Sequence, residues 1–246
     1  MWDDPVPALP GIFHQPLPAA YPAGLLPLEG ARTLLRYRTY FHGEAADSPA
    51  LLRQALSLRY QVYCVERGFE DAARHPNRME TDRYDEQSVH GVLFYRPWDQ
   101  AIGTTRLILP EAGPPSLPFH VLLGKAGLAK SRHLPLATTA EVSRFAVSRA
   151  FKPEWGPRSK LPCLGLIQLL LGLSLMHGVT HWAALMQPSL LRMLARMGIA
   201  FEPVGSLVSY HGLRQPCSCE IAPMLDRLYA INPAHWQVVT DGGRLA

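Results

Sequence analysis

The sequence predicts a mixed α/β fold, with a largely antiparallel sheet and helices on both of its faces. Two apolar runs, at 89–95 and 101–109, are joined by a turn-rich connection of hairpin length, which is typical of an antiparallel strand pair. Helix-like and strand-like segments then alternate through the second half of the chain. The 246 residues, 48% of them hydrophobic, are enough to bury one large core.

The N-terminal segment differs in composition from the rest of the chain. Residues 1–30 are rich in Pro, Ala and Gly and show no sustained period, which predicts an extended, Pro-rich N-terminal arm. The remaining residues, 31–246, are interpreted as one domain. Its first predicted element is a strand over Arg32–Phe41, where aromatic and apolar residues are frequent.

A helix and a long loop are predicted next. Ser48 is a suitable N-cap and Pro49 suits the first helical position, so a helix should run from there to about Tyr63. Helical spacing places Arg59 and Tyr63 on one face of it, four residues apart. Residues 64–87 are polar and charged with little period, which predicts a functional loop or a mobile lid.

The third central strand is predicted at 138–148, after a short helix around Phe119–Leu123. This strand carries Glu141 and Arg144. Side chains alternate along a regular strand, so these two would lie on opposite faces of the sheet. A β-bulge between them would bring them to one site.

The remaining elements alternate between helix and strand. We predict a helix at 162–177, a strand at 180–186, a helix at 188–197, a strand at 201–211 and one or two short helices at 221–236. The first of these helices is apolar throughout, but it is too short to span a membrane and is interpreted as a core helix.

Composition and charge argue against several functional classes. The net charge is +4, but Lys and Arg are scattered without a long basic run, so nucleic-acid binding is not expected. Asp3 and Asp4 stand where a signal peptide would carry basic residues, which predicts a cytoplasmic protein. No zinc-ligand spacing relates the four cysteines, so free thiols and no metal site are predicted. They are Cys64, Cys163, Cys217 and Cys219.

Three polar motifs lie within or beside strand-like sequence. One is acidic, at 80–85; one places a single Arg in an apolar run, at 102–109; the third is Glu-Val-Ser-Arg-Phe, at 141–145. A buried arginine is costly unless carboxylates surround it, so we expect one network that also fixes the acidic loop. Its expected members are two cations, Arg106 and Arg144, and three anions, Glu80, Asp82 and Asp85.

The order and spacing of these motifs resemble those of acyl-homoserine-lactone synthases, the autoinducer synthases of the GNAT (acetyltransferase-like) superfamily. The resemblance covers residues 50–150. Other segments resemble the related long-chain N-acyl amino acid synthases, specifically the acyltransferases associated with the exosortase (PEP-CTERM) protein-sorting system. These segments are Arg59–Glu66, Ser88–His90 and Ser209–Pro216.

The resemblance implies a fold and an activity. The fold is the GNAT-like acyl-CoA N-acyltransferase fold, in which two central strands splay apart and leave a V-shaped cleft for the pantetheine arm of an acyl thioester. The activity is direct transfer of a long-chain fatty acyl group to the amine of an amino acid. No tightly bound cofactor is expected.

Site roles follow from this chemistry and from the resemblance. A positioned carboxylate must take a proton from the acceptor amine; Glu141 is the first candidate, and Glu80 remains an open alternative. Backbone N–H groups near Phe145–Val147 are expected to stabilise the oxyanion. The expected catalytic residues are Glu141, Glu80, Arg144 and Arg106. The expected substrate-binding residues are Arg59, Tyr63, Phe69, Asp82, Asp85, Ser143, Phe145, Val147 and Arg214.

The acyl donor is predicted to be acyl carrier protein in preference to coenzyme A. Residues 149–165 contain no Gly-rich loop of the kind that binds pyrophosphate at a helix N-terminus. They instead offer Lys152, Arg158 and Lys160, which suit an acidic carrier protein. The same modest positive field would suit a peripheral membrane contact.

Other functions stay open at this stage. An acyl-homoserine-lactone synthase would use S-adenosylmethionine as its acceptor. A non-catalytic acyl-binding accessory protein of a sorting system would not need a base. A small-molecule acetyltransferase would need the pyrophosphate loop. The acceptor amine, the acyl chain length and the oligomeric state are also open.

Overall fold

Most of the chain is described by a computed structural model. The predicted arm at 1–30 lies largely outside the described residues, but residues 28–30 form the beginning of a helix. Arg158, one of the predicted carrier-protein contacts, also lies outside them. The described residues are 28–111, 117–131, 134–152 and 159–246.

The strands form a mixed sheet in the order β1-β2-β3-β4-β5-β8-β6, and β7 pairs with β8. Strands β4 and β5 are parallel, and the other neighbours are antiparallel. The predicted class is confirmed, and the predicted antiparallel hairpin is formed by β2 and β3. The strands are β1 (Phe41–Ala45), β2 (Ser88–Tyr95), β3 (Gln100–Ile108), β4 (Thr139–Val147), β5 (His181–Met186), β6 (Glu202–Pro203), β7 (Val208–Ser209) and β8 (Leu213–Glu220).

Helices cover both faces of the sheet, as predicted. Alternate residues of β2 contact different helices: Leu93 packs in the large core with α4, whereas Val92 and Phe94 pack with α2. Helix α4 approaches the sheet closely, since a Cβ at Gly43 would lie 2.5 Å from Leu169. The helices are α1 (Leu28–Tyr40), α2 (Pro49–Arg59), α3 (Pro118–Lys130), α4 (Leu161–Met176), α5 (Pro188–Arg196), α6 (Ile221–Ile231) and α7 (Pro233–Val239). No helix of the described part is long and apolar enough to cross a membrane.

The first predicted strand is wrong. Residues 32–40 belong to α1, and the first strand begins only at Phe41. Leu34 and Tyr37 are buried with the spacing of one helix face, and α1 packs against α7. The aromatic content of this segment therefore serves helix packing rather than strand pairing.

Helix α2 begins as predicted. The Ser48 hydroxyl accepts a hydrogen bond from the N–H of Leu51 at 3.2 Å, and Pro49 occupies the first turn. After Arg59 the chain continues as a π-helical turn over Tyr60–Glu66. Such turns are frequent at functional sites, and this one carries Tyr63 into a cavity wall.

The strand predicted at 201–211 is also wrong. That segment contains only the two-residue strands β6 and β7, and the long strand is β8, which pairs with β5 along its length. Pro216 lies in the middle of β8, and proline argues against a central strand in sequence analysis. The sheet tolerates this proline because it uses the carbonyl oxygen of Pro216, which accepts a hydrogen bond from the N–H of Val204 at 2.8 Å, and does not need an N–H donor there.

The central strands separate at the middle of the sheet. The parallel ladder between β4 and β5 ends at the pair Val142 and Ala184, whereas β4 continues to Val147 and β5 to Met186. A cleft therefore opens between the two strands. This is the V-shaped splay that the sequence resemblance implies.

Candidate active site

A bulge in β4 shapes the site. Arg106 pairs with Ser143 and Thr104 pairs with Ala146, so two residues of β4 oppose the single Thr105. Arg144 lies in this bulge with a φ of 49°, a left-handed conformation that is unfavourable for arginine. The bulge changes the alternation of the strand, and Arg144 and Glu141 line the same cavity.

Two buried arginines, Arg59 and Arg106, bind the carboxylates of the acidic segment at 80–85. Arg59 is fully buried, and it donates to Glu80 Oε2 at 2.6 Å and to Asp85 Oδ1 at 2.6 Å. Arg106 donates to Asp82 Oδ1 at 2.6 Å and to Asp85 Oδ1 at 2.7 Å. The predicted network is therefore present, and Arg59 is a further cation within it.

Arg144 joins the network to the cavity wall. It donates to Glu80 Oε1 at 2.8 Å and to Asp82 Oδ2 at 3.0 Å. Glu70 Oε1 lies at 3.5 Å from the same guanidinium, which also stacks over the ring of Tyr63 at 5.2 Å. These contacts hold a strained arginine in one conformation.

The network fixes the charge state of Glu80. Burial opposes ionisation of its carboxyl group, but hydrogen bonds and charge from Arg144 and Arg59 outweigh burial and lower its pKa to about 2. The pKa of Asp85 is lowered in the same way by Arg59 and Arg106. Both groups are ionised at neutral pH and already paired.

Glu141 has the opposite environment. It is only 2% exposed, and burial raises the pKa of its carboxyl group to about 8, against the lowering effect of a backbone hydrogen bond. That bond comes from the backbone N–H of Phe119, at the beginning of α3, and measures 2.6 Å. Glu141 can therefore take up or release a proton near neutral pH.

A cavity of about 490 Å³ occupies the splay. One part of its wall is polar and includes Glu141, Arg144 and Tyr210. Another part is apolar and comes largely from β5, α4 and α5. The apolar residues there are Cys163, Leu185, Met186, Leu190 and Met193.

A second cavity, of about 370 Å³, lies beside the acidic loop. Three carboxylates line it, Glu70, Glu80 and Asp82, and α3 closes part of its wall through Val121 and Leu122. The two cavities have a common boundary. The residues that line both are Glu70, Pro118, Arg144, Tyr210 and His211.

The hairpin of β7 and β8 forms part of this boundary. At its tip, His211 and Gly212 have φ values of 48° and 92°, which turn the chain sharply. His211 Nδ1 lies 3.2 Å from the carbonyl oxygen of Phe69, and His211 Nε2 lies 3.6 Å from Glu70 Oε1. The tip therefore rests on Phe69 and Glu70, in the loop at 64–87.

The structure separates the predicted site residues into three groups. Arg59 and Asp85, although in the network, stand apart from the described lining of both cavities. Glu80 and Asp82 line the smaller cavity. The larger cavity is lined by Tyr63, Phe69, Arg106, Glu141, Ser143, Arg144, Phe145, Val147 and Arg214.

Sequence analysis did not predict Glu70 and Tyr210 as site residues. Glu70 follows Phe69 directly, and Tyr210 lies within the segment at 209–216 that supports the family resemblance. Their sequence neighbours indicate that each residue lies near the site. Neither residue belongs to a spacing pattern that indicates its contacts.

Three of the four cysteines are buried, and the fourth, Cys163, is partly buried in the wall of the larger cavity. All four are free, and burial raises the pKa of the cavity-lining Cys163 to about 12. Burial raises the pKa of Cys64, Cys217 and Cys219 as well. A thiol that stays protonated is a poor nucleophile.

Comparison with a family model identifies a domain within the chain. Residues 58–158 match the acetyltransferase (GNAT) domain. This segment contains the network, the bulge and Glu141. The match agrees with the prediction of an enzyme of the acyltransferase class. A comparison with curated protein sequences finds no match.

Several solved structures share the fold. One is the CoA-dependent acyl-homoserine lactone synthase BjaI, solved with SAM and isopentyl-CoA, which is 23% identical over 78% of this chain and 88% of its own, with a TM-score of 0.56. Another is FeeM, an N-acyl amino acid synthase from uncultured soil microbes, 15% identical over 77% of this chain and 95% of its own, with a TM-score of 0.58. TofI, solved with an inhibitor and MTA, is 24% identical over 80% of this chain and 99% of its own, with a TM-score of 0.55. The predicted GNAT-like fold is confirmed.

Proposed function

We propose that this protein is an N-acyltransferase that moves a long-chain fatty acyl group from acyl carrier protein to the amine of an amino acid. One observation carries the proposal. Glu141, a buried carboxyl group with a pKa of about 8, lines an open cavity between two splayed strands. The acetyltransferase match over residues 58–158 supports the same reaction class.

Glu141 is the proposed general base. An amino acid carries a protonated amine near pH 7, and an efficient base has a pKa near the working pH. Glu80, the alternative base, has a pKa of about 2 and is bound by two arginines. Its proposed role is therefore to hold Arg144 rather than to accept a proton.

The proposed reaction is a direct transfer. The acceptor ammonium gives one proton to ionised Glu141, and the free amine attacks the thioester carbonyl carbon, so that a C–N bond forms and the carbonyl oxygen becomes an oxyanion. Collapse of this intermediate breaks the C–S bond. The thiolate leaves with the second proton of the nitrogen, and Glu141 returns its proton to solvent.

The oxyanion needs donors at the site where its charge develops. Phe145, Ala146 and Val147 line the cavity beyond the last residue of β4 that pairs with β5. Their backbone N–H groups are the proposed donors. Removal of one such donor typically costs about 100- to 1000-fold in rate.

The apolar part of the larger cavity is the proposed acyl site. Its volume of about 490 Å³ falls within the usual range for small-molecule sites, roughly 300 to 1000 Å³. Aliphatic and Met side chains from β5 and α5 would bury a fatty acyl chain by the hydrophobic effect.

Acyl carrier protein is the proposed donor. Arg149, Lys152 and Lys160 are exposed and lie at the two ends of the segment that follows β4, where they suit an acidic carrier surface. BjaI is CoA-dependent, so coenzyme A is the alternative donor to compare. A higher kcat/KM with the carrier thioester than with the CoA thioester of the same acyl group would support the proposed donor, and the reverse order would contradict it.

The most specific part of the proposal is that the protein belongs to the exosortase-associated acyltransferases. It is supported by the segments Arg59–Glu66, Ser88–His90 and Ser209–Pro216. The last of these forms the hairpin tip and the first half of β8, beside the boundary of both cavities.

Intact-mass analysis of lipid extracts tests the activity. Cells expressing the wild type are compared with cells expressing Glu141→Gln, in which the amide oxygen can still accept the Phe119 hydrogen bond. New N-acyl amino acid masses in the wild type alone would support the proposal and would identify head group and chain length. New lipids at equal levels from both proteins would contradict the role of Glu141.

An acyl-homoserine-lactone synthase is the second candidate. The observation in its favour is the smaller cavity, whose lining includes Glu70, a carboxylate with only longer contacts, at 3.5 Å to Arg144 and 3.6 Å to His211, which would suit a cationic acceptor such as the sulfonium of S-adenosylmethionine. BjaI was solved with SAM and TofI with MTA. Acyl-homoserine lactones in the same extracts would support this candidate over the first.

A further inference from the structure

Arg214 is a nearly buried cation, only 9% exposed. Its guanidinium donates to the carbonyl oxygen of the adjacent Leu213 at 3.3 Å and lies over the Phe69 ring at 5.4 Å. Within the described part of the chain, no carboxylate lies within ion-pair distance of it. The other buried arginines of the site contrast with it, since each contacts at least two carboxylates. They are Arg59, Arg106 and Arg144.

A buried charge without a counter-ion is unfavourable. Burial lowers the pKa of the Arg214 guanidinium, against the opposing influence of Tyr63 and Tyr210. Neither tyrosine supplies a full negative charge at neutral pH. A site that keeps such a cation is suited to a ligand that brings the anion.

The sheet places Arg214 opposite the proposed base. Glu141 pairs with Ala183, and Ala183 pairs with Ser218, so these side chains share one face of the sheet. Side chains alternate along β8, so Ser218, Pro216 and Arg214 also share that face. Arg214 and Glu141 therefore lie on the same face, on either side of the splay, and both line the larger cavity.

We propose that Arg214 binds the carboxylate of the acceptor amino acid and so selects amino acids over simple amines. This inference rests on the proposed function. The guanidinium offers parallel N–H donors that match the two oxygens of a carboxylate. The acceptor amine would then be held on the Glu141 side of the cavity.

A phosphate on the donor is the competing anion, and the position of Arg214 favours the carboxylate. The backbones of Glu141 and Arg214 are separated by four residues along the strand direction and two strand spacings, about 13 Å and about 10 Å. Both side chains are long and line the same cavity. In an α-amino acid one carbon separates the amine from the carboxylate, whereas a long pantetheine arm separates the donor phosphate from the thioester.

The test compares two acceptors that differ only in the carboxylate. Purified full-length protein is assayed with one acyl carrier thioester and either the amino acid found in the product or its decarboxylated amine. Arg214→Gln should lower kcat/KM for the amino acid about 100-fold and change the value for the amine less than about threefold. Arg214→Lys should give an intermediate loss, because lysine keeps the charge but not the paired donors.

The control is Arg53→Gln, which makes the same change at an exposed position of α2 outside both cavity linings. It should leave both acceptors unaffected. An equal loss for amino acid and amine in Arg214→Gln would overturn the inference. If Arg214→Gln raises the KM for the acyl thioester and leaves the acceptor preference unchanged, Arg214 binds the donor phosphate. That result would also overturn the inference. A wild type that acylates no amine would overturn the proposed function itself.

Thermal unfolding without substrates separates binding from a structural role. Removal of an unpaired buried cation should leave the Tm of Arg214→Gln equal to or above that of the wild type. A Tm several degrees lower would show that the contacts with Phe69 and Leu213 stabilise the fold, and this result would count against a ligand-binding role.

Discussion

Individual residues of the site divide into those that hold charge and those that exchange protons. Arg59, Arg106 and Arg144 share the carboxylates of one loop, and the short distances leave those carboxylates ionised. Glu141 lies outside this network and, among the described residues, accepts one backbone hydrogen bond, from Phe119. The carboxyl group of Glu141 can therefore be neutral while the carboxylates of the arginine network are ionised.

Arg59 is predicted to stabilise the fold rather than to contact substrate. In Arg59→Gln, Glu80 and Asp85 would lose a buried counter-charge, so the free energy of unfolding should fall by about 3 to 5 kcal/mol. Urea unfolding measures this change. Arg53→Gln on the same helix should stay within about 0.5 kcal/mol of the wild type. Equal stability of both variants would show that the pairing contributes little.

Glu141 is predicted to give stability that depends on pH. Its pKa is about 8 in the folded state against 4.5 ordinarily, so the folded state binds the extra proton between these values. The contribution is complete below pH 4.5 and is lost as the pH rises through 8. Between pH 5 and pH 9 the wild type should lose on the order of 3 to 5 kcal/mol relative to Glu141→Gln.

Urea titrations of both proteins at the two pH values measure this difference. A wild type that gains stability relative to the variant at high pH would mean that Glu141 is ionised in the folded protein at neutral pH. The pKa assignment would then be incorrect.

Two irregular elements, the π-helical turn after α2 and the bulge in β4, bring the site together. The turn presents Tyr63, and the bulge presents Arg144, whose guanidinium stacks on the Tyr63 ring. The hairpin tip of β7 and β8 completes the enclosure through Tyr210 and His211. Each departure from regular geometry therefore lies at the cavity wall.

Gly212 is predicted to control the position of that tip. Its φ of 92° is strained for any residue with a Cβ, so Gly212→Ala should cost about 1 kcal/mol of stability. The fall in kcat/KM should be larger than this loss of stability explains, because Tyr210 and His211 line both cavities. Gly178→Ala, at a φ of 63° after α4, should show a similar stability loss with unchanged kinetics. Equal kinetic losses in both variants would contradict a specific role for the tip.

At the scale of the whole molecule, the cleft of the splayed sheet holds the proposed sites for both the acyl chain and the acceptor amino acid. The larger cavity reaches an apolar wall that includes Met193 of α5, which is 39% exposed. The smaller one is bordered by the acidic loop and α3. Arg144 and the hairpin tip lie at the boundary between them, and Glu141, where transfer is proposed to occur, lines the larger one.

Met193 is predicted to affect acyl length. Met193→Trp should reduce the volume of the apolar part of the cavity and shift the preferred acyl chain to a shorter one. The values of kcat/KM across a series of saturated thioesters measure the shift. Ala195→Trp, at an exposed position of α5 outside the cavity lining, is the matched control. An unchanged chain-length profile in Met193→Trp would place the acyl chain elsewhere.

Sequence analysis predicted much of the fold but not all of its irregular parts. The hairpin, β4 and α4 were predictable because their apolar patterns are local. The first helix was missed because its burial depends on α7, far along the chain, and β8 was missed because Pro216 and short polar residues mask it.

The site was predicted in a similar, partial way. An arginine within an apolar run, which needs carboxylates around it, indicated the Arg106 and Arg144 network. The role of Arg59 as a member of that network, and the contacts of Glu70 and Tyr210, depend on how the loop at 64–87 and the hairpin tip pack together. No spacing in the sequence encodes that packing.

The initial rate of amide formation by purified protein tests whether Glu141 is the base for acyl transfer. An acyl carrier thioester and an amino acid mixture are supplied to the wild type and to Glu141→Gln, and the N-acyl product is quantified by mass. We predict product from the wild type and a loss of about 100- to 10,000-fold in the variant, with both proteins folded. Equal rates, or folded wild type that forms no amide from any carrier or CoA thioester, would contradict the account.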